Sequence, residues 1–146
     1  MSTINQRVPP WTTLKEKLIY ELAFKHLSKF ELYDTNQLIL VRSTSTGQSI
    51  AYITEPRERQ KEITRLDLTI CDTYGDLIWM CIAPEYRRQG YGEKLYRRVE
   101  DICAETGCSS IVLTPSGKGY SFWPKMGFKR LTGGNIVPTY RKELKK

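Results

Sequence analysis

The feature that most restricts the fold is an apolar run joined by a glycine-containing loop to an amphipathic helix. Residues 76–83 are nearly all apolar, which predicts a strand in the centre of a sheet. Gly90 and Gly92 follow in a short loop, and an apolar stripe beginning at Leu95 predicts a helix that packs on the sheet. Glycines at a helix entrance leave backbone N–H groups uncovered, and the helix dipole adds positive potential there. The stretch therefore predicts a site for an anion such as a pyrophosphate.

A second helix is predicted near the start of the chain, over about residues 13–29. Thr13 and Glu16 have the spacing of a capping box, in which each side chain satisfies a backbone N–H of the other residue. The apolar face of this helix is predicted from residues at helical spacing, namely Leu14, Leu18, Ile19, Leu22, Ala23 and Leu27.

Short runs of apolar and β-branched residues between turn residues predict the remaining strands. These strands are predicted near residues 6–8, 37–43, 49–54, 63–71, 109–114, 127–131 and 138–144, with a short helix over residues 120–126. The last strand is predicted at an edge of the sheet. Because no repeat or linker interrupts the pattern, we expect residues 1–146 to form one domain.

The composition restricts the class of protein. A hydrophobic fraction of 40% and a charged fraction of 27% are ordinary for a soluble globular protein. No apolar run reaches the roughly 18 residues that span a membrane, and the N-terminus has no signal-peptide core. We therefore expect a cytoplasmic protein that is not bound to a membrane. The net charge of +7 favours anionic partners, although a solvated basic surface explains it equally well.

The cysteines indicate no metal centre. The chain has four cysteines, no C-x-x-C pair and one histidine, His26, so no metal site is expected. Three of the cysteines occupy apolar positions of predicted elements, which favours reduced core thiols and a reducing compartment.

Two motifs resemble one known family. Residues 87–92, Arg-Arg-Gln-Gly-Tyr-Gly, fit the Arg/Gln-x-x-Gly-x-Gly/Ala signature of the GNAT superfamily of N-acetyltransferases, and residues 82–87 resemble its V-x-P-E-Y-R lead-in. Residues 113–128 resemble the segment L-x-x-S-x-x-G-x-x-F/L-Y-x-x-x-G-F of many members. A dinucleotide fingerprint fails because residue 95 is Leu, and a phosphate-binding G-x-x-x-x-G-K-[ST] loop is also absent.

The resemblance implies an α/β (α+β) fold. Its sheet is mixed, mostly antiparallel, flanked by helices and splayed open between the strands at 76–83 and 109–114. The acetyl donor that the resemblance implies is acetyl-CoA, with its pantetheine arm lying in this cleft. The residues implied to hold it, mainly through backbone groups, are Met80, Cys81, Ile82, Arg87, Arg88, Gln89, Gly90, Tyr91, Gly92 and Glu93.

The implied reaction moves an acetyl group to a primary amine by direct transfer in a ternary complex. A lysine-like amine has a pKa of about 10.4 and must lose a proton before it can attack. Asp76, six residues before Ile82, stands near a glutamate of histone-acetylating members and is the predicted base, with a turn role after Gly75 as the alternative. Backbone N–H groups at Cys81 or Ile82 are predicted to stabilise the developing oxyanion.

At the position of the general acid, the sequence departs from the family pattern. The family's usual tyrosine falls at residue 123, which is Trp here, and indole has no acidic proton to give. Tyr120, three residues earlier, is the candidate replacement. A structural role for Tyr120, with protonation by water or direct release of the thiolate, is the alternative.

The acceptor that the resemblance implies is an amine on a small molecule or a protein, and the sequence does not select between them. Because of Trp123 and the basic charge, a non-catalytic module that binds CoA or nucleic acid is the alternative function. No nucleic-acid recognition motif supports that alternative. The sequence leaves open whether the protein forms a homodimer.

Overall fold

The computed structural model describes residues 3–5, 13–30, 35–56, 62–115, 122–131 and 139–144. In chain order, the elements are β1 (Thr3–Asn5), α1 (Leu14–Leu27), β2 (Thr35–Ser43), β3 (Gln48–Pro56), β4 (Thr64–Ile70), β5 (Tyr74–Ile82), a 3₁₀ turn (Pro84–Tyr86), α2 (Tyr91–Glu105), β6 (Ser110–Leu113), α3 (Phe122–Lys125), β7 (Lys129–Arg130) and β8 (Tyr140–Glu143).

The described strands form one eight-stranded sheet in the order β1-β2-β3-β4-β5-β6-β8-β7. β1 is parallel to β2 and β5 is parallel to β6, while the other neighbours are antiparallel. This confirms the mixed, mostly antiparallel sheet. The strand predicted over residues 6–8 lies outside the described residues. The prediction that the last strand is an edge strand is wrong, because β7 pairs with the outer side of β8.

α1 and α2 cover the same face of the sheet. The two helices contact each other, and His26 Nε2 on α1 lies 2.7 Å from Glu105 Oε1 on α2. Lys25 Nζ donates to the same Glu105 oxygen at 2.9 Å. The predicted stripe of α2 is confirmed, since its residues Leu95, Val99, Ile102 and Cys103 are all 0% exposed. α2 sits so close to β5 that a Cβ on Gly75 would lie 2.5 Å from the Cys103 sulfur.

α1 begins as predicted but buries a different face. The capping box is present, with the Glu16 N–H donating to Thr13 Oγ1 at 3.1 Å and the Thr13 N–H to Glu16 Oε1 at 3.3 Å. Ile19, Ala23 and Leu27 are buried and Leu22 is partly buried, whereas Leu14 and Leu18 are 71% and 51% exposed. The reason is that the Glu16 carboxylate also accepts hydrogen bonds from the N–H and hydroxyl of Ser43, which turns the Glu16 side of α1 toward the end of β2.

The opposite face of the sheet, called the open face below, carries the side chains of Asp67, Asp76, Trp79 and Cys81, among others. The register places these side chains away from the buried side chains that face α1 and α2. No described helix packs on the open face, since α3 also joins the α2 side through contacts of Trp123 with Tyr96. None of the helices in the described part of the chain has the length and apolar character to cross a membrane.

Candidate functional site

β5 and β6 separate in the middle of the sheet. Their parallel pairing runs only from Tyr74 opposite Ser110 to Leu77 opposite Leu113, while β5 continues to Ile82 beside β4. Residues 78–82 therefore have no paired strand on their second side among the described residues. The splay predicted between these two strands is confirmed, and the gap between them is the candidate active-site cleft.

The register of β4 with β5 determines which backbone groups point into the cleft. The Ala83 N–H donates to the Ile63 carbonyl at 2.7 Å, so the strand alternation turns the N–H of Cys81 toward β4 and those of Met80 and Ile82 toward the cleft. Consistent with this, the Ile82 carbonyl accepts a hydrogen bond from Arg87 Nε at 2.8 Å rather than from β4. Of the two predicted oxyanion donors, Ile82 thus faces the cleft and Cys81 does not.

A β-bulge in the pairing of β4 with β5 lies at the point where β5 separates from β6. Asp67 pairs with Trp79 and Leu68 with Leu77, which leaves Ile78 as an extra residue on β5. Ile78 and Trp79 are 55% and 46% exposed, although they stand in the middle of an apolar strand. Bulges re-aim side chains and are common beside functional sites.

The loop after β5 leads into an uncapped helix end. Arg88 and Gly90 have φ angles of 65° and 80°, so the chain takes two left-handed positions before α2 begins. No side chain in the described part of the chain forms a cap hydrogen bond at Gly90, and the first N–H groups of α2 remain directed outward. Nothing described lies within 4 Å of a Cβ built on Gly90, so the space in front of the loop is open.

The other predicted loop residues surround this helix end. The Gln89 side chain donates to the Glu85 carbonyl at 3.3 Å, and Glu93 on the first turn of α2 pairs with Arg97 at 3.5 Å. Tyr91 packs edge-on against Phe30 with ring centroids 6.3 Å apart. Gly92 brings α2 close to α3, because a Cβ there would meet the Phe122 ring at 3.5 Å.

Asp76 lies on β5 one residue before the last pair of β5 with β6. It stands opposite Thr69 on β4 and beside Val112 on β6, and its side chain is on the open face. Partial burial raises the pKa of this carboxyl above the ordinary value for an aspartate. Within the described part of the chain, Asp76 makes no ion pair and no side-chain hydrogen bond.

Of the two residues considered for the general acid, only Trp123 is described; Tyr120 lies outside the described residues. Trp123 is 7% exposed, and its ring packs against Phe122, Phe128 and Tyr96 at centroid distances of 4.8, 5.4 and 5.6 Å. The indole is therefore part of the core.

Three features were not predicted from the sequence. They are the exposure of Ile78, the exposure of Trp79 and the hydrogen bond from Arg87 to the Ile82 carbonyl at the end of β5. The continuous apolar run of β5 predicts a strand buried on both faces, and no alternation within it signals the bulge. The Arg87 bond depends on how the 3₁₀ turn folds back, which no local pattern reveals.

The chain matches the model of the acetyltransferase (GNAT) family over residues 7–128. A comparison with curated protein sequences gives no match.

Solved structures share the fold. The PaiA N-acetyltransferase of Thermoplasma acidophilum, in complex with coenzyme A, superposes with a TM-score of 0.56 at 22% identity, over 64% of this chain and 60% of that chain. An acetyltransferase from Streptococcus agalactiae gives 0.55 at 23%, over 66% of this chain and 67% of that chain. The chain thus matches less than two thirds of the PaiA protein's length. Since the family model spans most of the sequence, the chain belongs to the acetyltransferase (GNAT) family, which uses acetyl-CoA as its acyl donor.

Proposed function

We propose that this protein is an N-acetyltransferase that moves an acetyl group from acetyl-CoA directly to a primary amine while both are bound. The observation that carries this proposal is the separation of β5 from β6 beside the uncapped start of α2. This arrangement supplies a slot along which the N–H groups of Met80 and Ile82 face no described strand and, at its end, a site for an anion. The two features suit the pantetheine arm and the pyrophosphate of one ligand.

The loop fits the pyrophosphate. The first N–H groups of α2 point outward, Gly90 leaves open space in front of them, and Arg88 and Lys94 add exposed positive charge. We propose that the residues from Arg87 to Glu93 hold the phosphates mainly through backbone N–H groups. Along the slot, the backbone of Met80 and Ile82 supports the pantetheine arm.

We propose that Asp76 accepts the proton of the acceptor amine. The amine nitrogen then forms a bond to the acetyl carbon, the bond from that carbon to sulfur breaks, and CoA leaves as a thiolate. The Met80 N–H faces the cleft and lies closer to Asp76 along β5 than the Ile82 N–H does, so it is placed to stabilise negative charge that develops on the acetyl oxygen. The proton that the nitrogen loses on forming the amide restores the thiol of CoA.

Release of CoA as a thiolate does not require an acidic side chain at residue 123. Tyr120 remains our candidate for delivering the proton, and water is the alternative. A thiol has an ordinary pKa of about 8.5, so it leaves far more easily than an alkoxide, and an acid is less necessary.

The proposal is tested by calorimetry with acetyl-CoA and by a thiol-release assay over a panel of amines. We expect Gly90→Val to raise the Kd for acetyl-CoA by about 30-fold or more, since a β-branched residue at a left-handed position costs about 1–2 kcal/mol and its side chain fills the open space. Gly107→Val is the matched control, because Gly107 has a φ of 89° and open space at the other end of α2. Equal Kd values for the two variants would contradict the assignment of the loop.

The side chain of Arg87 provides a second prediction. Arg87→Ala removes the bond to the Ile82 carbonyl and loosens the strand end, so we expect the Kd for acetyl-CoA to rise about 10-fold. Arg88→Ala removes one positive charge from the same loop without breaking that bond. Calorimetry on both variants separates the two effects. A larger rise in the Kd for acetyl-CoA in Arg88→Ala than in Arg87→Ala would show that the positive charge, rather than the hydrogen bond to Ile82, determines binding.

The alternative is a non-catalytic module that binds CoA or nucleic acid, which the net charge of +7 suggests. Salt-dependent binding to RNA or DNA, with no thiol release from any amine, would favour it. Binding of acetyl-CoA alone does not separate the two functions, so the amine panel is the deciding measurement.

A further inference from the structure

The bulge at the start of the cleft presents two adjacent apolar side chains to solvent. Leu77 and Met80, on either side of it, stand opposite Leu68 and Leu66, which are both 0% exposed and face α1 and α2. Ile78 and Trp79 lie between them and do not join this buried face, as their high exposure shows. A regular strand would have buried one of the two residues.

Charged side chains border this apolar pair. Trp79 stands opposite Asp67, whose Oδ2 is already held by Arg65 Nε at 3.3 Å. Asp76 lies on the same face, and its partner Thr69 is two residues from Asp67 along β4, a distance of about 7 Å. Asp76 makes no ion pair within the described residues, so its carboxylate is the one available to a cationic ligand.

A half-buried carboxylate with no ion-pair partner among the described residues, on the same face as an exposed indole and next to an exposed isoleucine, matches a particular ligand chemistry. An ammonium group pairs with the carboxylate, and the methylene groups next to it cover the apolar side chains. An indole also attracts a nearby cation through its ring face. A chain rich in hydroxyl or ether groups would lose hydration on the same surface without an equal gain.

We propose that Trp79, with Ile78, is a specificity-determining residue that selects an unbranched alkylamine, which enters as an ammonium ion paired with Asp76. This inference rests on the proposed function and names its acceptor class. The alkyl chain lies along Ile78 and Trp79 on the open face, and the nitrogen points toward the cleft.

The test compares hexylamine with diglycolamine, which has the same chain length but carries ether and hydroxyl oxygens. We expect wild-type protein to favour hexylamine in kcat/KM, and Trp79→Ala to reduce that preference about 10-fold, mainly through KM. Because both proteins are measured with the same two amines, the change in this ratio from wild type to variant does not depend on the different basicities of the amines. Trp79→Phe should keep most of the preference for hexylamine, and Ile78→Ala should reduce that preference about 3-fold. Leu18→Ala, an exposed leucine on α1, is the control and should leave the ratio unchanged.

Calorimetric binding of hexylamine to wild type and Trp79→Ala separates this inference from the proposed function. If no amine releases thiol but hexylamine binding still depends on Trp79, the subsite stands and the transfer reaction does not. If thiol is released and Trp79→Ala leaves both the ratio and the binding of hexylamine unchanged, the inference is overturned. Absence of hexylamine binding in both proteins, together with no thiol release, overturns both.

Discussion

Asp76→Asn is expected to lower kcat by about 100-fold while leaving the Kd for acetyl-CoA unchanged. The asparagine keeps the size of the side chain and removes only its ability to take a proton. Moving a proton from an amine to an ordinary aspartate costs about 9 kcal/mol, and each unit by which burial raises the Asp76 pKa lowers that cost by about 1.4 kcal/mol. A turnover of about 10 per second corresponds to a barrier of about 16 kcal/mol, so this transfer fits within it.

The direction of the pKa shift predicts the pH dependence. A base works only when ionised, so the rate falls as the pH drops through the Asp76 pKa, which burial raises above the ordinary value for an aspartate. A second dependence comes from the acceptor, whose ionisation moves with the amine chosen. pH–rate profiles are therefore measured with two amines of different pKa. A fall in rate at low pH that occurs at the same pH for both amines belongs to the enzyme, and Asp76→Asn should abolish this acid limb.

Asp72→Asn is the matched control, since Asp72 is an exposed aspartate in the turn just before β5. It should leave kcat and the pH profile within about 2-fold of wild type. Unchanged turnover and an unchanged acid limb in Asp76→Asn would remove Asp76 from the mechanism, and since Asp76 lies inside β5 rather than in a turn, its role would then be that of a strand residue.

Trp123→Ala is expected to destabilise the protein by about 3–5 kcal/mol and lower its Tm by about 10–20 °C. The indole is almost fully buried and meets the rings of Phe122, Phe128 and Tyr96 edge-on. Such ring pairs add to the free energy of burial. Because Tyr96 lies on α2 and Phe128 precedes β7, the loss would loosen the contact between α2 and the end of the sheet.

Denaturant unfolding of Trp123→Ala and Trp123→Phe measures this effect. The phenylalanine keeps a ring in the cluster, so we expect Trp123→Phe to lower the free energy of unfolding by less than about 2 kcal/mol. A loss below about 1 kcal/mol in Trp123→Ala would contradict the core assignment. Trp123→Tyr is informative about the mechanism: since residue 123 points into the core, the added hydroxyl should not raise turnover.

The sequence predicted the parts of the site that depend on neighbours in the chain. Gly90, Gly92 and the stripe from Leu95 indicated a loop and a helix, and α2 begins at Tyr91 as the loop required. The capping box of Thr13 and Glu16 was likewise a local pattern that the structure confirms. The buried face of α1 was predicted only in part, because the bonds of Glu16 to Ser43 depend on a strand far along the chain.

Sequence alone thus indicated the family, the glycine loop before α2 and most of the order of helices and strands, since each is encoded in spacing along the chain. The tertiary structure decided where β5 leaves β6, which backbone groups face the cleft, and which side chains share the open face with Asp76. Those features arise from register between strands distant in sequence, and one extra residue at Ile78 shifts the side chains beyond it by one position. For that reason Trp79 could be assigned to the same face as Asp76 only from the folded sheet.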